Sequence, residues 1–148
     1  MTEGVVDRRN SIADVIYINE SMSEKDISEI VDRVYPQIVK DLGKSKYGNK
    51  APVVELHKDI YARVSGIKGA TGEHSHSSEA QYDEEVNKIF IYYPNMKDEK
   101  HVIQSLLHEY THSLQDPKKW PEARKDGYEN NPFEKEAHRA ERNWKKYM

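Results

Sequence analysis

Residues 108 to 112 read His-Glu-Tyr-Thr-His, the pattern HExxH. On a helix, side chains four apart lie one turn above each other with Cβ atoms roughly 5–6 Å apart. His108 and His112 can therefore turn their imidazoles onto one ion at the zinc–nitrogen distance of about 2.0–2.1 Å. Glu109 is rotated by about 100° from His108, which keeps it out of the ligand set but within reach of a water on the ion. That is the placement of a general base for metal-assisted hydrolysis. The plainer alternative is a solvated helix that carries two histidines, and a downstream candidate for a third ligand weighs against it.

A catalytic zinc takes three protein ligands and keeps a fourth position open. The chain has no cysteine, so a metal here is held by His, Asp or Glu. Candidates stand in Asn131-Pro132-Phe133-Glu134-Lys135-Glu136-Ala137-His138-Arg139-Ala140-Glu141. Asn131 as N-cap, Pro132 at the first helical position and Glu134 three residues after the cap form a capping box, which gives Glu134 a structural duty. Residues 134 and 136 stand about 200° apart around a helix, so only one of them can face the HExxH helix. Ala137 and Ala140 mark a flank that could lie closely against another helix, and Glu136 borders that flank. The expected third ligand is Glu136, with Glu134 its main competitor and His138 behind both.

HExxH followed 24 residues after its second histidine by Glu136-Ala137 resembles the gluzincin type of zincin metallopeptidase, in which a Glu just before an Ala on a following helix completes the site. Glu134-Lys135-Glu136-Ala137 is similar to the E-x-E-A signature of small bacterial and phage proteins of that type. The likeness covers residues 88 to 148; the first 80 fit only as a minimal zincin lobe. There are two departures from related patterns. Gln115 and Lys118 stand where the metzincin continuation has Gly and a third His, and no Asp follows four residues after Glu136, where thermolysin-like enzymes place one to orient a histidine. Support for His108 or His112 is then expected from Glu141, Glu79 or a backbone carbonyl.

The resemblance and the residues together imply a zinc-dependent metallopeptidase acting on a peptide or protein substrate. One Zn2+ per chain would sit on His108, His112 and Glu136, with Glu109 as base. An oxyanion partner would come from His138, Tyr128 or Tyr110. In zincins the strand before the motif helix forms the upper rim of the cleft. By that likeness Ile89 to Tyr93 would pair with an extended substrate, and Tyr92 and Tyr93 would shape its pockets. The implied fold is α+β and zincin-like, one domain over residues 1–148. A small twisted, mostly antiparallel sheet packs on the motif helix, and a C-terminal helix supplies the third ligand. The rival from another class is a catalytically silent zincin-like metal-binding module, such as a virion or assembly component.

Elements to position these residues are legible in the periodicities. Residues 98–115 repeat Val102, Ile103, Leu106, Leu107, Tyr110 and Leu114 at helical spacing, and Pro117 forbids continuation. A second amphipathic helix spans 23–42 with Ile27, Ile30, Val31, Val34, Ile38 and Leu42, and Pro36 is expected to kink or divide it. Residues 13–18, 53–57, 60–64 and 88–93 read as strands, 66–78 as a Gly/Ser loop, 116–131 as a loop with at most a short helical turn, and 132–146 as a final helix. Residues 1–11 read as a loose lead-in. His74 and His76 fall in the Gly/Ser loop, where solvated side chains are the expectation and a metal clip the alternative. His101, seven residues before His108, lies about 10.5 Å along the axis, too far to share an ion.

The 148 residues carry 23 Lys+Arg against 26 Asp+Glu, a net charge of −3, and a mean hydropathy of −0.98. Near-balanced charge provides no footprint for nucleic acid or an anionic membrane. No window approaches 18 apolar residues and residues 1–10 lack an apolar signal core, so a cytoplasmic protein is expected.

Overall fold

The computed structural model describes residues 22–47, 49–65, 79–125, 127 and 130–148. The expected strand at 13–18, the lead-in, the His74/His76 loop and Tyr128 lie outside the described residues. Helix α1 (Glu24–Leu42) begins where the Ser23 side chain accepts the Asp26 N–H at 3.1 Å, and it ends at Gly43, whose φ of +86° suits a residue without Cβ. Its stripe of Ile27, Ile30, Val31, Val34 and Ile38 is buried. Pro36 does not divide the helix. It sits on the exposed side, where water can satisfy the carbonyl that its missing N–H leaves free, and the buried stripe passes it unbroken.

Strands β1 (Val53–His57), β2 (Ala80–Asp83) and β3 (Lys88–Tyr92) form a sheet of order β1-β3-β2. β1 runs parallel to β3 in the register Val53↔Lys88 to His57↔Tyr92, and β2 runs antiparallel to it with Ala80 opposite Ile91. The sheet is therefore mixed, and not mostly antiparallel as expected. The long connection from β1, through helix α2 (Ile60–Ser65) and beyond, has room for the crossover that a parallel pair needs. Residues 60–64, expected as a strand, open that helix, with the Arg63 N–H closing on Asp59 O at 3.1 Å. β-Branched residues favour strands only where a sheet is there to receive them.

Helix α3 (Glu99–Leu114) starts at Asp98, whose carboxylate accepts the His101 N–H at 2.8 Å. It buries Val102, Ile103, Leu106, Leu107 and Tyr110 against α1 and β3, and these residues form one core together with Met96 and Tyr147. Asp116, ahead of Pro117, is extended (φ −70°, ψ 117°), so α3 cannot continue. A 3-10 turn (Pro117–Lys119) and helix α4 (Trp120–Ala123) precede helix α5 (Pro132–Ala140), which passes into a 3-10 helix (Glu141–Tyr147). The end of the chain is tied back to α1, since Tyr147 Oη donates to Asp41 Oδ2 at 2.9 Å and Arg33 Nη1 to Tyr147 O at 3.1 Å. The architecture is α+β, and no helix among the described residues is long and apolar enough to cross a membrane.

Candidate metal centre

His108 and His112 lie on the same face of α3 with ring centroids 4.9 Å apart, both largely buried. Across from them, Asn131 caps α5 by accepting the Phe133 N–H at 2.8 Å and the Glu134 N–H at 3.4 Å. The cap uses the backbone of Glu134 and leaves its carboxylate for other partners. Glu134 Oε1 lies 3.0 Å from His108 Nε2 and 3.2 Å from His112 Nε2. Donor atoms on a tetrahedral ion with bonds of about 2.0–2.1 Å stand roughly 3.3 Å from one another, close to these separations.

The structure does not bring Glu136 to the imidazoles. Its carboxylate accepts Gln115 Nε2 at 2.8 Å and its side chain faces outward. The reason is angular. Ala137, fully buried, marks the packed face of α5; Glu134 is about 60° from it around the helix, Glu136 about 100°.

Both imidazoles are held from behind. Glu141 Oε2 is 2.7 Å from His108 Nδ1 and Gln115 Oε1 is 2.8 Å from His112 Nδ1. Each acceptor calls for a proton on Nδ1 and so turns the Nε2 lone pair of the neutral ring toward Glu134. Glu79, the other expected support, bonds His101 Nε2 at 2.9 Å instead. His138, one turn beyond Glu134, contacts Glu141 Oε2 through Nδ1 at 3.0 Å and sets its ring 4.7 Å from that of His108. The ligand atoms of His108, Glu134 and His138 lie within 4.8 Å of one another.

The electrostatics follow this geometry. Burial alone would depress the His108 pKa, but hydrogen bonds to Glu134 and Glu141 outweigh it and raise it to about 10. His112 is also raised, with Glu134 again overcoming burial. For Glu134 burial acts upward, yet the two imidazoles hold its carboxyl well below the usual range. Glu109 is pushed up, mainly by burial, although both histidines and a hydrogen bond from the Tyr82 backbone oppose the shift.

A cleft of about 610 Å³ opens over this cluster, lined by β2, Glu109, Trp120, Arg124 and Glu134. A second concavity of about 470 Å³, lined by His101, His138 and Glu141, meets it at Ala80, His108 and Glu109. Tyr92 N–H donates to Glu79 O at 3.0 Å, so by antiparallel alternation Ala80 and Tyr82 turn their backbone polar groups away from β3. The strand bordering the cleft is thus β2. The expected rim, Ile89 to Tyr93, is corrected: β3 is paired on both sides, Tyr92 is buried, and Tyr93 opens a 3-10 turn. Tyr110 is also corrected as an oxyanion candidate, because its hydroxyl donates to Gly43 O on the core side and its ring packs edge-on to Tyr35.

Two contributors had no role in the sequence reading. Gln115 was visible only as a departure from another pattern, although its place three residues after His112 is a usable signal. Trp120 packs at a tilt of 49° against the His112 ring, with centroids 5.2 Å apart, and donates Nε1–H to Tyr47 Oη at 2.7 Å, walling the cleft. No known protein family, characterised protein or solved structure matches the chain.

Proposed function

We propose that the chain is a metal-dependent peptidase whose ion is held by His108, His112 and Glu134. Two imidazole nitrogens and one carboxylate oxygen are the donor set of a catalytic zinc site, and the two nitrogen–oxygen separations suit that ion. The observation that carries the reading is a single carboxylate oxygen within hydrogen-bond reach of both HExxH imidazoles, where two concavities meet beside Glu109. When bound, such an ion lowers the pKa of a coordinated water from 15.7 to about 7 and polarises a carbonyl.

The chain's own groups supply the rest. Glu109, kept basic by partial burial, accepts the proton of the attacking water and returns it to the leaving amine. The outer edge of β2, where Ala80 turns its backbone groups away from β3 beside the Tyr82 backbone that bonds Glu109, offers a place to which an extended peptide can add. His138, exposed at the rim of the second concavity, is placed to donate to the developing oxyanion.

The test is Glu109→Gln. Hydrolysis of a broad peptide library should collapse, while zinc content stays near one per chain. Equal inertness of both proteins would favour the silent binding module.

A second reading has its own observation. Because His138 offers a ligand atom within 4.8 Å of those of His108 and Glu134, it could close the shell as a fourth ligand and make the zinc structural. That version predicts unfolding on chelation and no activity to lose.

A further inference from the structure

We infer that Gln115 is the positioning residue that couples the two helices of the centre, orienting His112 with one end of its amide and holding α5 with the other. The inference rests on the metal centre proposed above. Asp116-Pro117 ends α3, and Gln115 leaves helical geometry at φ −85° and ψ 150° while its N–H still reaches His112 O at 3.3 Å. Its side chain therefore curls back under the last turn and is almost wholly buried, at 5% exposure.

The orientation of the amide is fixed by its surroundings. Nε2 lies 2.9 Å from Phe133 O and 2.8 Å from Glu136 Oε1, which are both acceptors, so the NH2 group must face α5. The amide oxygen is then left to His112 Nδ1 at 2.8 Å, and the proton between them belongs to the imidazole. One side chain thus sets the tautomer of one ligand and grips the carbonyl immediately before another, Glu134. It also accounts for Glu136, whose carboxylate anchors the brace without facing the ion.

The experiment measures zinc affinity by competition with a chromophoric chelator and the visible spectrum of the Co2+-substituted protein, neither of which needs a substrate. Gln115→Leu keeps the volume and removes every polar contact. It should weaken zinc binding roughly 10–100-fold and alter the Co2+ bands. Gln115→Glu combined with Glu136→Gln restores an acceptor for His112 and a donor–acceptor pair with position 136 but leaves the Phe133 carbonyl without its donor, so it should bind zinc more tightly than Gln115→Glu alone and recover affinity in part. If Gln115→Leu does not fold, Gln115→Glu alone is read in its place and should still bind zinc more weakly, because its carboxylate faces Phe133 O and Glu136. Wild-type affinity and an unchanged Co2+ spectrum in Gln115→Leu, or in Gln115→Glu where that is read in its place, overturn the inference whatever the melting temperature. A wild-type chain that takes up no zinc overturns the centre and the inference together. One that binds zinc tightly but cleaves nothing overturns the peptidase reading alone.

Discussion

Glu141 Oε2 lies 2.7 Å from His108 Nδ1 across 33 positions of sequence, at the point where α5 passes into the 3-10 helix. A carboxylate behind a ligating imidazole fixes its tautomer and makes it more basic. Glu141→Ala should therefore weaken zinc binding roughly 10–100-fold, and Glu141→Gln, which keeps an acceptor, should do less harm. Chelator competition checks both, and unchanged affinity in Glu141→Ala would remove the residue from the centre.

Glu134 and Glu136 separate cleanly by substitution. Glu134→Ala should abolish stoichiometric zinc uptake, whereas Glu136→Ala should retain it with at most a modest loss of affinity. Metal analysis after gel filtration reads the outcome, and the reverse order would reinstate Glu136 as the ligand.

The raised pKa of His108 has a signed consequence. A histidine whose folded pKa of about 10 exceeds its ordinary 6.5 stabilises the metal-free protein fully below 6.5, and that contribution is lost as pH rises through 10. Melting temperatures of metal-stripped protein should fall between pH 7 and 10, and fall less in Glu134→Gln. Zinc must also displace the imidazole protons, so uptake at pH 7 should release protons, visible as a dependence of the calorimetric heat on buffer ionisation enthalpy. Heat independent of the buffer would contradict this account.

Ala137 is fully buried where α5 packs toward α3. Ala137→Leu should destabilise the fold by about 1–3 kcal/mol through overpacking and, by pushing α5 outward, lower zinc affinity as well. Urea denaturation and chelator competition on the same sample test the two effects; destabilisation with intact affinity would show that α5 can yield without moving Glu134.

The motif helix was legible almost to its ends, 98–115 in the sequence against 99–114 in the structure, because periodicity and Pro117 act locally. The third ligand was harder. A capping box accounts for Glu134 in sequence, yet the cap takes its backbone N–H and leaves the carboxylate for the imidazoles. β2 escaped notice because only four residues pair, with Gln81 exposed between Ala80 and Tyr82. The zincin likeness puts the rim on β3 because it is the strand just before the motif helix, whereas sheet order decides which strand has a free edge. Gln115 acts through one local contact, to His112, and two that exist only once α5 has returned.

The two helices of the centre are unequally anchored. α3 contributes much of the core, whereas in α5 Ala137 is the buried residue. Opening of α5 should therefore require far less free energy than opening of α3, and native-state hydrogen exchange should show its amides exchanging through a local fluctuation that leaves the core intact. An ion that bridges both helices would slow this exchange by mass action, so the exchange rate of α5 would report how much of the protein carries metal.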